Sequence, residues 1–434
     1  LSVLIVEKSD RIGGTSAMSG AGTWIPANHL AREAGAADSA EEAMRYFRAA
    51  SPAGWEAAED ALWRAFVANA APMLEFVEQH SPLRYELINE PDPQAEQPGG
   101  KIFGRMISPR PLSRRIVGRY ARLIRRSTLP HIFSYREAHG LDPYNHPIRA
   151  YGGLAPRLIW RWLTDTRGCG NALVTGLLKG CLDAGAKLLL GARVVGLVQR
   201  PDGRVAGVEV QHGGARHSFA AARGVVLATG GFEWNAALRE AHFAGPLDRL
   251  GSPDTNEGDG QLLAERAGGR LERMDQANVY PTLPTRYDGR LHGLPATFQS
   301  ATYGIVVDRT GRRFVSEYDY NLGEALDRRD ASGAPLHLPA WLIGDARCVG
   351  RHLAFRWYAR KERGWVRHAA DFASLAGAIG VPADALTETV ARFNGFCAAG
   401  RDADFHRGES AWERYKSANR DGTKKNPTLA PIEP

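Results

Sequence analysis

The sequence predicts an α/β fold on a parallel sheet, with a second, mixed α+β domain set against it. Three observations lead there. Val3-Leu4-Ile5-Val6 closes on Glu7 as a buried strand would, and runs at once into the small-residue cluster Gly13-Gly14-Thr15-Ser16-Ala17-Met18-Ser19-Gly20. Up to about residue 272, segments of helical and strand periodicity alternate, as βαβ connections require. From about Met274 the text changes to prolines (Pro281, Pro284, Pro295) and scattered aromatics, which places a domain boundary there.

Taken in order, the strand at 2–7 and its glycine cluster come first; small residues at that density mark backbone lying against something flat or anionic. Residues 31–76 are Ala/Glu/Arg-rich with apolar residues at helical spacing (Met44, Phe47; Leu62, Phe66, Ala70, Leu74), and Ser51-Pro52 and Pro72 are expected to break them. Prolines 82, 91, 93, 98, 109 and 111 predict an irregular surface loop. Arg114 to Arg126 reads as a basic helix, and Asn171 to Ala184 as a second helix stopped by Gly185. Then come a strand at 187–190, a hairpin through Pro201-Asp202-Gly203-Arg204, a polar strand near His217 to Ala220, and Gly224 to Leu227 as a fully buried strand ending in Ala228-Thr229-Gly230-Gly231. Gly258-Asp259-Gly260 opens a short helix, Gly304 to Asp308 is a strand, and 370–399 is helical with Leu386, Val390, Phe393 and Phe396 on one face. The predicted domains are 1–272, with a helical insertion at about 31–165, then 273–394, then an incomplete return at 395–434.

Composition narrows the function. Lys+Arg 55 against Asp+Glu 48 gives +7 on 434 residues, a mild bias that does not call for nucleic acid. No apolar run approaches the ~18 residues of a membrane span, so a cytoplasmic protein is expected. Cys169, Cys181, Cys348 and Cys397 show neither metal-ligand nor disulfide spacing, the histidines are scattered, and no metal site is expected. Exposed on one side, Arg114 to Arg126 with Arg105, Arg110 and Trp160-Arg161-Trp162 leaves open a peripheral membrane contact; a solvated basic face is the plainer reading.

An acidic residue ending the second strand of a dinucleotide-binding unit accepts the ribose hydroxyl pair, and Glu7 sits where that residue belongs. The phosphate-cradling GxGxxG should lie roughly 20 residues earlier, before Leu1, and the chain is expected to continue at both ends.

In their order, Val6-Glu7-Lys8, Gly13 to Gly20, Trp24-Ile25-Pro26, Gly170-Asn171-Ala172-Leu173, Leu227 to Phe232, Gly258-Asp259-Gly260 and Gly311 to Glu317 resemble the succinate dehydrogenase/fumarate reductase flavoprotein superfamily. Ser16 to Asn28 and Trp341-Leu342-Ile343 are most similar to its 3-ketosteroid dehydrogenase branch. The resemblance implies FAD as cofactor, a Rossmann-type FAD-binding domain, and an inserted α+β capping/catalytic domain with the flavin at their interface. By the same resemblance Glu7 would bind the adenosine ribose, with Lys8 beside it. Gly13, Gly14, Thr15 and Ser16 would follow the pyrophosphate and ribityl chain, and Ser19 and Gly20 would approach the isoalloxazine ring. Val194 would meet adenine through its backbone, Ala228, Thr229 and Gly230 would pass the FAD, and Asp259 would lie near its ribityl or flavin end. A flavin-covering segment and a Tyr/Gly pair that polarises the 3-keto oxygen would follow Pro434.

Flavin N5 accepts a hydride, so the protein must supply a base for the neighbouring proton and an electrophile for the carbonyl. In the ketosteroid branch a Tyr shortly after the Arg-Phe-Val-Asn-Glu-like motif is that base, which implies Tyr320 first and Tyr318 second after Arg313-Phe314-Val315-Ser316-Glu317. Fumarate reductases carry an Arg shuttle there, and residues 318–326 contain none. Aromatics such as Tyr280, Tyr303, Trp341 and Trp357 favour a flat apolar substrate, and the resemblance implies a small, steroid-like carbonyl compound. The electron acceptor is open. An enoate or dicarboxylate reductase and a truncated, non-catalytic flavoprotein-like chain are the two alternatives.

Overall fold

The computed structural model describes residues 2–143, 146–243, 247–295, 298–351, 353–417 and 426–434. It opens on β1 (Leu4–Val6) and the short α1 (Gly14–Met18), then β2 (Thr23–Trp24), α2 (His29–Glu33), α3 (Ala40–Ala50) and α4 (Glu56–His80). Next come β3 (Tyr85–Leu87), β4 (Met106–Pro109), β5 (Leu112–Ser113), a 3₁₀ segment over Arg114–Arg122, α5 (Tyr135–Leu141), α6 (Pro147–Leu163), β6 (Thr166–Arg167) and α7 (Cys169–Asp183).

A strand layer follows: β7 (Lys187–Leu189), β8 (Ala192–Gln199), β9 (Val205–His212) and β10 (Ala215–Ala220), then α8 (Ala236–His242) and α9 (Asp259–Arg266). The remainder holds β11 (Thr282–Tyr287), β12 (Arg290–Pro295), β13 (Gly304–Val307), α10 (Leu322–Asp327) and β14 (Trp341–Gly344). It ends with α11 (Ala346–Arg351), α12 (Leu353–Lys361), α13 (Phe372–Ile379), α14 (Ala383–Ala399) and α15 (Ala411–Ser417).

The parallel element is the pair β1–β7, in register from Leu4 with Lys187 to Val6 with Leu189. Parallel neighbours need a crossover, and here it carries the whole helical excursion before returning through α7. That helix packs Val174 and Leu178 on Ala17 of α1 and on Val117 and Ile124. The antiparallel sheet β8–β9–β10 stands beside it, with Ala192, Val208 and Val210 buried against Val6 and Leu189. Further along, β13–β14 lies on α13 and α14, burying Ile305, Val307, Ile343, Leu386, Val390 and Phe393. Leu429 and Ile432 of the last segment complete that core, and the Asn394 side-chain amide donates to the Ile432 carbonyl and accepts from its N–H, each at 2.8 Å.

Five expectations are corrected. The opening strand is not buried: Val3 and Leu4 are exposed, because among the described strands β1 pairs only with β7. Pro72 does not end a helix; it lies inside α4, where burial of Val67, Ala70 and Leu74 on both sides offsets the lost N–H bond. The proline-rich stretch after His80 is not wholly irregular, because β3 and β2 both pair with β4 across it. The basic helix is two 3₁₀ pieces broken at Gly118 (φ 54°, ψ −126°), a backbone state that glycine adopts readily, though Val117 and Ile124 are still buried. Finally, Gly224 to Leu227 forms no strand: Val226 is 90% exposed, and no described strand lies alongside to take its backbone groups.

Candidate active site

At the C-terminal end of β1 the Glu7 backbone is fixed from both sides, its N–H donating to the Leu189 carbonyl and its carbonyl accepting from Ala192, each at 2.9 Å. One carboxylate oxygen accepts from the Ser9 N–H at 2.7 Å, which leaves Oε2 without a partner among the described residues. Lys8, next in the chain, donates to Asp259 Oδ2 at 2.6 Å and to Glu257 Oε2 at 3.0 Å. Arg193 reaches the same Asp259 at 2.5 Å. Burial raises the Asp259 carboxyl, and the hydrogen bonds from Lys8 and Arg193 outweigh it, holding the group below the ordinary carboxylate range. Asp259 therefore stands at the Lys8 end of the arrangement and ties the start of α9 to β1 and β8. Val194 lies on β8 where the register with β9 slips between Val194 and Gly196. Such a bulge frees backbone groups from the ladder.

The glycine cluster turns the chain into α1. Gly13 has φ 103°, and a Cβ on it would come within 2.8 Å of Ala17 and Val174; a Cβ on Gly14 would meet nothing within 4 Å. Thr15 and Ser16 are exposed. Facing them is the segment Ala228-Thr229-Gly230, exposed as well. Asn256, 8% exposed, joins the two: its Nδ2 donates to Thr15 Oγ1 at 3.1 Å and to Glu233 Oε1 at 2.8 Å, while a Cβ on Gly230 would come within 3.1 Å of its Oδ1. Gln261 donates to the Gly230 carbonyl at 3.1 Å. Two open, nearly side-chain-free backbone stretches, a carboxylate at the strand end and room above Gly14 fit an extended dinucleotide.

Ser19 and Gly20 are held from behind. Gly170 donates its N–H to the Ser19 carbonyl at 2.9 Å, and a Cβ on Gly170 would lie 2.0 Å from the Ser16 carbonyl. Asn171, 3% exposed, donates to the carbonyls of Ala17 at 2.8 Å and Arg125 at 3.2 Å. A Cβ on Gly20 would strike the Tyr135 ring at 2.8 Å, so this ring lies directly on the Gly20 backbone.

The two candidate tyrosines part company. Tyr318 is 1% exposed, with the Arg407 guanidinium 4.8 Å over its ring. It belongs to a buried polar network in which Arg313 and Arg407 share Glu317, and Arg313 also binds Asp402. Tyr320 is 58% exposed and packs edge-on against Trp412, ring centroids 4.9 Å apart. Beyond Trp412 lie Tyr415 and then Glu90, which accepts from the Tyr135 hydroxyl at 3.0 Å and the Tyr415 hydroxyl at 3.5 Å. Desolvation by its neighbours, and after it the Glu90 charge, push the Tyr320 phenol above its ordinary value.

Sequence reasoning did not single out Asn256, Gln261, Glu90, Tyr135 or Tyr415 as site residues. Only Tyr135 carried a local signal, in the Ser134/Glu137 capping box that fixes α5 and hence the ring. Among the described residues no His/Cys/Asp/Glu group could hold a metal.

Residues 1–431 match the FAD binding domain family. The 4-oxocyclohexanecarboxylate 2-dehydrogenase of Sinomonas cyclohexanicum is 35% identical, the match covering 100% of this chain and 75% of that protein. The 3-oxosteroid 1-dehydrogenase of Mycobacterium tuberculosis is 31% identical over 100% of this chain and 80% of its own length. The crystal structure of 3-ketosteroid delta1-dehydrogenase from Sterolibacterium denitrificans, in complex with 1,4-androstadiene-3,17-dione, matches with a TM-score of 0.87 and 29% identity, covering 100% of this chain and 81% of that one. The open backbone stretches, the Glu7 strand end and these matches agree: the chain belongs to the FAD binding domain family, as an FAD-dependent oxidoreductase of the 3-ketosteroid dehydrogenase-like branch.

Proposed function

We propose that the enzyme introduces a double bond beside the ketone of a cyclic, steroid-like substrate, with Tyr320 taking the α-proton. The observation that carries this reading is the placement of Tyr320: an accessible phenol on an aromatic wall that continues through Trp412, Tyr415 and Glu90 to Tyr135, which rests on Gly20. FAD, when bound, would supply the acceptor for the hydride that leaves the β-carbon. At the α-carbon the C–H bond would break with its proton passing to the Tyr320 oxygen as phenolate, the hydroxyl proton having first been lost to solvent, and the electron pair would close the new C=C bond as the hydride departs. Atoms and charge balance with two hydrogens removed per turnover, and an electron acceptor of unassigned chemistry reoxidises the flavin.

The ring ketones in the names of the Sinomonas and Mycobacterium relatives both carry a carbon substituent para to the carbonyl, so one desaturation chemistry serves both. The aromatic wall favours the larger apolar ring system. For a dicarboxylate reductase the residues are unsuited: Arg328 and Arg329 follow the motif late and pair with Glu324 and Asp327. Anaerobic mixing of the FAD-loaded enzyme with a 3-oxosteroid, 4-oxocyclohexanecarboxylate and succinate tests the reading. Flavin absorbance should bleach with the steroid, and bleaching by succinate with neither ring ketone active would overturn it.

For the cofactor, Glu7 and the backbone of Gly13, Gly14, Thr15, Ser16 and Ala228 to Gly230 would hold FAD, with Lys8 and Asp259 setting the Glu7 strand end. Glu7→Gln in the full-length enzyme should keep the fold and weaken FAD binding by ~1.5–3 kcal/mol, the range for a hydrogen bond to a charged group. Fluorescence titration of the apoprotein reads it.

A cytoplasmic enzyme touching a membrane surface is part of the same proposal. No described helix is long and apolar enough to cross a membrane. The patch is not the one expected from sequence, since Arg105 and Arg161 are buried in ion pairs with Asp38, Asp92 and Glu137. Instead α6 exposes Ile148, Ile159, Trp162 and Leu163, and Arg115, exposed beside it, donates to the Leu163 carbonyl. Co-sedimentation with anionic vesicles should occur, fall with added salt, and drop several-fold in Trp162→Ala.

A further inference from the structure

We propose that Glu90 is the positioning residue of this active site: one buried carboxylate gathers the phenols of its wall and by its charge tunes Tyr320. The proposal rests on the reading of Tyr320 as proton acceptor. Glu90 follows β3 in a loop and is 4% exposed. Its Oε2 accepts from Tyr135 of α5 and Tyr415 of α15, and its Oε1 stands 3.8 Å from the Lys416 ammonium. Three stretches remote in sequence are thus joined at one side chain.

The joint reaches Tyr320 by contact. Lys416 lies 4.2 Å over the Trp412 ring and 5.2 Å from that of Tyr415, and Trp412 holds Tyr320 edge-on. Removing the Glu90 side chain would release Tyr135, Tyr415 and Lys416 together, and with them the surface on which Tyr320 rests. The charge adds a second effect. Groups facing Glu90 are Tyr135 and His139 from α5, Tyr415 and Lys416 from α15, and Tyr320; Tyr46 of α3, itself near Asp92 and Arg105, also faces Tyr320. A carboxylate near a phenol opposes its ionisation, consistent with the raised Tyr320 phenol, for which burial is the larger cause.

Hydrogen bonding alone does not call for an ionised group, because a glutamine oxygen would accept the same two hydroxyls. Glu90→Gln keeps an acceptor for both hydroxyls and removes the carboxylate, so it isolates what the carboxylate adds beyond hydrogen bonding.

The test measures anaerobic reduction of the FAD-loaded enzyme by a 3-oxosteroid from neutral pH to about 10, the ordinary phenol value, in wild type, Glu90→Gln, Glu90→Ala, Tyr320→Phe and the Tyr320→Phe/Glu90→Gln pair. Melting temperature and FAD absorbance confirm folding. In Glu90→Gln the midpoint of the rate–pH curve should move to lower pH, by on the order of one unit. Glu90→Ala should lose about tenfold or more in rate at every pH with FAD still bound. Adding Glu90→Gln to Tyr320→Phe should change nothing further. A Glu90→Gln curve that superimposes on wild type while Tyr320→Phe is slow overturns the Glu90 proposal and leaves Tyr320 standing, as does a full second loss in the pair. Wild-type speed in Tyr320→Phe overturns the underlying reading instead.

Discussion

Tyr320→Phe in the FAD-loaded enzyme is expected to slow flavin reduction by at least ~10²-fold, the lower end for losing a positioned acid/base group, with flavin bound and substrate affinity near wild type. The phenol is exposed on one side and braced by Trp412 on the other, so phenylalanine keeps the packing and removes only the oxygen. Tyr318→Phe provides the comparison. Its ring is enclosed beneath Arg407, and the consequence should be read in melting temperature far more than in rate. Stopped-flow reduction with a 3-oxosteroid separates the two. Equal losses would mean that the register after Glu317 is misread, and full activity of Tyr320→Phe would remove it from the reaction.

Arg407→Ala is expected to destabilise the protein by about 3–5 kcal/mol, the cost of breaking a buried ion pair by removing one partner. Arg407 is fully buried; it binds Glu317 at 2.9 Å and donates to the carbonyls of Gly304 at 2.8 Å, Ala301 at 2.9 Å and Thr428 at 2.6 Å. One side chain therefore pins β13, the Glu317 turn and the final segment. Arg392→Ala, which loses a surface pair with Asp404, should leave the melting temperature nearly unchanged. The network also fixes a pH dependence. Burial raises the Glu317 carboxyl, but the Arg313 and Arg407 charges outweigh it and hold it below the ordinary range; Asp402, bonded to Arg313, is lowered in the same way. Carboxyls lowered on folding add stability above the unfolded carboxylate range and lose it as pH falls through their folded values. Acid titration of the melting temperature should show this loss, and it should be smaller in Arg407→Ala.

Local pattern alone determined a good deal of this protein. The Gly13-Gly14 turn, the helix stopped at Gly185, the hairpin at Asp202-Gly203 and the Leu386, Val390, Phe393 face are settled by neighbours a few residues away, and motifs of small residues carry the resemblance to the flavoprotein family. Local pattern misled where the decisive partner was remote. Gly224 to Leu227 has the composition of a buried strand, but a strand exists only with a neighbour to pair with, and Pro72 looks like a stop until the burial on both sides of it is seen. The charged arginines show the same limit: Arg105 and Arg161 read as surface from sequence and are buried because Asp38, Asp92 and Glu137 meet them. The cluster of Tyr135, Tyr415 and Glu90 was least legible of all. Tyr135 lies 45 residues from Glu90 and Tyr415 lies 325 from it, and no periodicity spans such separations. The sequence thus determined the cofactor family and the motif around Tyr320, because phosphate- and ring-facing backbone needs glycine and small residues in fixed local order. Which tyrosine is exposed and which is buried was decided only by tertiary structure, since burial and a carboxylate's hydrogen-bond partners depend on where distant segments meet.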